Sequence, residues 1–158
     1  MKIAKTLKFL TAASALVISS LSFASSVNIG DNDVAIHGYD PVAYFTNSKA
    51  VEGSAKFTAI HDGAIYRFAS KKNRDLFSSD PSHYAPQFGG YCAMGVALDK
   101  KLDIDPNAFY IYKDKLYLNL NKDVQKKWVT DIPGYLKTAN RTWSGIEDLS
   151  VAETNAED

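Results

Sequence analysis

Lys56-Phe57-Thr58-Ala59-Ile60-His61-Asp62-Gly63-Ala64-Ile65-Tyr66-Arg67-Phe68 is the stretch that decides the fold class. Asp62 and Gly63 tolerate the left-handed backbone that a two-residue hairpin turn demands, and the residues on either side alternate in polarity. Folding the chain about that turn puts Phe57, Ala59 and His61 on one face with Ala64, Tyr66 and Phe68, and leaves Thr58, Ile60, Ile65 and Arg67 on the other. The aromatic face is the one expected to meet a core.

Outward from this hairpin the elements are short. On its N-terminal side Val34 to Gly38 reads as extended, and Asp40-Pro41 then joins an N-cap to a proline at the first helical position, opening a helix through Val42, Ala43, Tyr44 and Phe45. On its C-terminal side Ser70 caps a helix from Lys71 to Ser78, with Asn73 and Phe77 one turn apart, and Asp80-Pro81 ends it or starts another turn. A loop rich in Pro86, Gly89, Gly90 and Gly95 follows, then a second hairpin from Phe109 to Asn119 about Lys113-Asp114. Asn121 caps a helix that sets Val124 and Trp128 one turn apart, and a last helix from Tyr135 carries Leu136, Ala139 and Trp143 on one stripe. Both tryptophans read as core anchors. Hairpins alternating with short helices predict an α+β domain: a small antiparallel sheet of hairpins with short flanking helices.

The ends of the chain differ from the body. Lys2, Lys5 and Lys8, an apolar run from Phe9 to Leu21, and the small residues of Ser22-Phe23-Ala24 form the succession of an export signal, with cleavage after Ala24; the run is short for a membrane anchor. The expected organisation is a signal at 1–24, one domain at 25–146 and an acidic, disordered tail at 147–158, where Glu147, Asp148, Glu153, Glu157 and Asp158 occur without Lys or Arg. No later segment is long and apolar enough to span a membrane. Losing the three signal lysines turns a balance of 18 basic and 18 acidic side chains into a slight acidic excess, which offers no pull toward nucleic acid. A periplasmic or secreted location follows from the signal, and the oligomeric state is left open.

Export makes the single cysteine conspicuous. Cys92 lies in Phe88-Gly89-Gly90-Tyr91-Cys92-Ala93-Met94-Gly95, and a lone thiol cannot form a disulfide within its own chain, so it is buried, liganded, reactive or paired with another molecule.

The run Gly38-Tyr39-Asp40-Pro41-Val42-Ala43-Tyr44-Phe45, the segment Tyr66-Arg67-Phe68-Ala69-Ser70 with Phe77, Pro81 and Tyr84, and the Cys92 loop together resemble the YHS domain family, in particular its secreted single-domain bacterial members. The resemblance implies a fold related to treble-clef metal-sensor domains and a role in metal handling. It also implies three thiolate positions, which fall here on Ala43, Ala69 and Asn73, while Asp40, Pro41, Val42, Phe68, Ser70, Phe77, Pro81 and Tyr84 keep the scaffold. A sulfur-rich zinc site needs about four ligands, and this chain lacks them.

Three classes of function remain. The first is metal binding or metal homeostasis, copper before zinc, at a rebuilt site using Cys92 and Met94 with His37 and Asp40; thiolate, thioether and imidazole suit monovalent copper. The second is a binding module for a small ligand or a protein, with a structural Cys92 and with Tyr39, Tyr44, Tyr84 and Tyr91 lining the site. The third is a thiol-dependent enzyme, in which Cys92 gains a lowered pKa near a helix start and Gly89-Gly90 lets backbone amides reach a substrate. No second cysteine or histidine motif supports the third, and no catalytic residue is assigned. Of the remaining histidines, His61 reads as a half-buried residue at the hairpin turn and His83 as an exposed one.

Overall fold

A computed structural model describes residues 26–156. The export signal expected at 1–24 lies outside the described residues. The chain forms helix α1 (Pro41–Thr46), strands β1 (Ser54–His61) and β2 (Ala64–Phe68), helices α2 (Lys71–Ser79), α3 (Pro81–Tyr84) and α4 (Ala93–Ala97), strands β3 (Asp105–Tyr112) and β4 (Lys115–Asn119), and helices α5 (Lys122–Trp128), α6 (Ile132–Ile146) and α7 (Val151–Asn155). This is the α+β architecture expected, with the antiparallel structure divided into two separate two-stranded hairpins, β1–β2 and β3–β4.

The first hairpin has the expected register. His61 pairs with Ala64 and Ala59 with Tyr66, so Ala64, Tyr66 and Phe68 are buried while Ile60 points outward. The second begins four residues earlier than its alternation suggests, because an irregularity between Asp105 and Phe109 shifts the register of a strand that still pairs Asp105 with Asn119. A bulge of this kind breaks the period of two on which the reading depends.

Capping sets the helix starts. Asp40, Ser70, Asp80, Asn121 and Asp131 each accept N–H bonds from the first turn of α1, α2, α3, α5 and α6. Asp131 with Pro133 starts α6 at Ile132, ahead of the expected Tyr135. The inner faces of both hairpins and the apolar faces of the helices meet in one cluster around Phe68, Phe77, Val96, Leu116, Leu118, Trp128 and Ala139. Trp128 is wholly buried, as an anchor should be, and Trp143 is half-buried against Phe88 and Tyr91.

Two local readings change. His83 is not simply exposed: its ring packs against Phe45 and Tyr84, and Nδ1 lies 3.4 Å from Asp114. The C-terminal segment folds up to residue 156, because Ser150 and Glu153 form a capping box for α7 and the segment docks on Lys101. The Lys101 ammonium donates to the Glu147 and Leu149 carbonyls at 2.6 Å each, and Asn155 Nδ2 donates to the Lys101 carbonyl. Acidic composition alone does not reveal that long-range partner. Among the described residues no helix is long and apolar enough to cross a membrane.

Candidate functional site

Cys92 is the N-cap of α4. Its sulfur accepts the N–H groups of Gly95 at 3.3 Å and Leu120 at 3.2 Å, and its S–H points at Asn119 Oδ1, 4.0 Å away. The side chain is completely buried. Burial pushes the thiol pKa above its ordinary value, and the N–H groups of Gly95, Leu120 and Met94 offset only part of that rise. A reactive cysteine needs the opposite combination, exposure and a stabilised thiolate. The neighbouring glycines are structural as well: Gly89 has φ +59, and a Cβ there would stand 1.8 Å from the Ser26 carbonyl oxygen. The Gly89 carbonyl instead accepts from the Asn28 N–H, which ties the N-terminal segment to this loop.

Asp40 is equally occupied. One carboxylate oxygen accepts from Val42 N at 2.9 Å and Ala43 N at 3.3 Å; the other accepts from Ala69 N at 2.8 Å and Asn73 Nδ2 at 2.7 Å. The residues that the family resemblance pairs with thiolates, Ala43, Ala69 and Asn73, therefore all donate to one buried carboxylate. A carboxylate offers about four lone-pair positions, and here four donors fill them. The hub joins α1 to the start of α2.

Each member of the donor set expected for a metal, copper before zinc, has its own surroundings. Cys92 and Asp40 are saturated by N–H groups, Met94 lies on α4 beside a different cleft, and His37 is held by Asp103. Among the described residues no group of three His, Cys, Asp or Glu side chains could hold a metal ion. The tyrosines are likewise dispersed: Tyr44 is buried against Phe109 and donates to the Pro106 carbonyl, Tyr91 is buried against Trp143, and Tyr84 lies edge-on to Phe45. Tyr39 is half-buried, its residue bridged to Glu52. Among the described residues no ring contact joins any two of the four.

Two clefts hold the side chains that remain available. The first, about 440 Å3, lies between α4, α5 and α6, with Met94, Leu98, Val124 and Tyr135 as apolar walls and Asn121, Asp123 and Lys127 as the polar surround. Leu98, at the C-cap of α4, is 63% exposed, and Leu120 and Val129, which bracket α5, are also exposed. The second, about 250 Å3, is polar and lined by Gly30, Asp31, Asn32, Val34, His37 and Arg67.

The second cleft sits on unusual backbone. Asn32, Asp33, Ile36, His37 and Gly38 all have φ between +49° and +84°. Ile36 is β-branched and buried, so its left-handed conformation costs on the order of 1–3 kcal/mol and persists only because the surrounding structure enforces it. The bonds that enforce it are visible: Ala35 N to the Ile65 carbonyl, Gly38 N to the Ala35 carbonyl and Gly53 N to the Gly38 carbonyl. His37 Nε2 lies 2.9 Å from Asp103 Oδ1, which also accepts from Asn28 Nδ2 at 2.9 Å. Burial alone would raise the Asp103 pKa, but hydrogen bonds from Asn28 and Ile104 N–H, with His37 beside it, bring it below the usual carboxylate range. With Nε2 turned to this carboxylate, Nδ1 is the ring atom left beside Gly30.

Of these groups the sequence singles out His37 and Met94 as candidate site residues. Leu98 falls in an apparently featureless stretch, and Arg67 appears merely as an outward strand residue. Comparison with protein families, characterised proteins and solved structures finds no match for this chain.

Proposed function

We propose that the chain is an exported, non-enzymatic binding module on a YHS-like scaffold, and that it seats a small, largely apolar organic ligand between α4, α5 and α6. The observation that carries this reading is Leu98, 63% exposed beside a cleft walled by Met94, Val124 and Tyr135. Contiguous apolar surface with a few polar groups at its edge is what ligand sites offer. The saturation of Cys92 favours binding over thiol chemistry, and the Asp40 hub favours it over the metal role that the resemblance implies. Export rests on the basic, apolar and small-residue succession of residues 1–24.

Titrating the purified chain with the uncharged fluorophore Nile red tests the seat. Saturable binding that weakens by about tenfold or more in Leu98→Asp and Val124→Asp, a loss of about 1.4 kcal/mol, is the expected result. Equal binding by the wild type and both folded variants overturns the groove. Stoichiometric retention of monovalent copper by the wild type, lost in Cys92→Ala, returns the metal reading in its place.

A further inference from the structure

The cleft beside His37 contains a cation that no carboxylate of the described residues approaches within ion-pair distance. Arg67 projects from the outer face of β2 and is half-buried, and its guanidinium makes no hydrogen bond or ion pair with any described residue. Its stem and guanidinium lie along the bare Cα of Gly38: a Cβ built there would stand 3.5 Å from Cδ and 3.7 Å from Nη1. Across the cleft His37 Nδ1 lies 3.9 Å from the point where a side chain on Gly30 would begin. Glycines therefore leave room beside both basic groups, and the second ring nitrogen is spoken for by Asp103.

We propose that this cleft binds a small monocarboxylate, with Arg67 as its fork-like charge partner and His37 Nδ1 as a second polar contact. Arginine's paired N–H groups match the two oxygens of a carboxylate, and a partly desolvated guanidinium gains more from such a partner than an exposed one does. The charge inventory selects a monoanion. Arg67 supplies one positive charge, Asp31 stands on the cleft lining, and Asp103 is ionised behind His37. A doubly charged phosphate would meet these carboxylates with one compensating guanidinium. With Nε2 turned to Asp103, Nδ1 is the His37 ring atom left to hydrogen-bond a ligand hydroxyl, so carboxylates bearing a neighbouring hydroxyl fit best. This site is independent of the apolar groove and survives or fails without it.

Chemical-shift titration of the full chain with sodium acetate, sodium lactate and inorganic phosphate at constant ionic strength decides the matter. Acetate and lactate are expected to shift the His37 ring and Arg67 side-chain signals saturably, lactate more tightly. Arg67→Gln is expected to weaken binding about tenfold or more with its thermal midpoint unchanged, since the guanidinium has no internal bonds to lose. Arg67→Lys keeps the charge without the fork and should fall between the two, whereas Asp31→Asn should tighten binding. Shifts no larger than those with chloride, or equal affinity in Arg67→Gln, overturn the site. Tighter binding of phosphate than of either carboxylate overturns the assignment of ligand class.

Discussion

The sulfur of Cys92 takes the place of a capping hydroxyl: it receives the Gly95 and Leu120 N–H groups and joins the start of α4 to the end of β4. Removing it leaves the Gly95 and Leu120 N–H groups without that acceptor, at about 1–3 kcal/mol for each that is buried and unpaired. Cys92→Ala is therefore expected to lose about 2–4 kcal/mol in urea unfolding, while Cys92→Ser, which keeps an acceptor there, should lose less than half as much. A metal-binding or reactive thiol would reverse the emphasis, with both variants losing function alike and stability barely changing. Beside it, Asn119 Nδ2 is buried without a hydrogen-bond partner among the described residues, as is Trp128 Nε1.

At the scale of elements, α7 acts as a strap. Lys101 is fully buried with its ammonium against Tyr91 and Trp143, and the carbonyls of Glu147 and Leu149 solvate it. Ending the chain after Ile146 is expected to lower stability by about 2–4 kcal/mol, because hydrogen bonds to a buried charge are worth about 1.5–3 kcal/mol each. Lys101→Met in the shortened chain should recover part of the loss, since the methionine fills the site without a charge to satisfy. Equal thermal midpoints for the full and shortened chains would remove the strap from the fold. These elements also mark what a sequence can carry. The β1–β2 hairpin and the caps at Asp40, Ser70 and Asn121 were legible because their signals are local: a period of two, a turn dipeptide, an acceptor three residues before an N–H. The start of β3, the docking of α7 and the cleft at Arg67 were not. Each depends on residues far apart in the chain, or on left-handed backbone at Ile36 and His37 that no residue preference announces.

Across the whole molecule the titrating groups bound the range of stability from both sides. Asp103 has its pKa depressed by its hydrogen bonds against the effect of burial, so its contribution is complete above the ordinary carboxylate value of 3.8 and disappears as pH falls through the lower, folded value. Cys92, Tyr44 and Tyr66 are raised by burial, so their contributions are complete below their ordinary values of 9.0 and 10.0 and are lost as pH climbs beyond them. Lys101 works the other way on the alkaline side, since its buried charge costs less as pH rises toward its ordinary value of 10.5. Tyr91 and Tyr117 are raised by burial in the same way, and these five buried acids outnumber that one base, so the net alkaline slope is downward. Denaturant midpoints measured against pH should therefore form a plateau through neutrality with a falling limb below about pH 4 and another above about pH 9. Asp103→Asn should flatten the acid limb, because an amide keeps the contact to His37 without a proton to gain. Cys92→Ser should flatten the start of the alkaline limb, because a hydroxyl does not ionise there. An acid limb unchanged in Asp103→Asn would mean that the Asn28–Asp103–His37 chain orders the carboxylate cleft without holding the fold together.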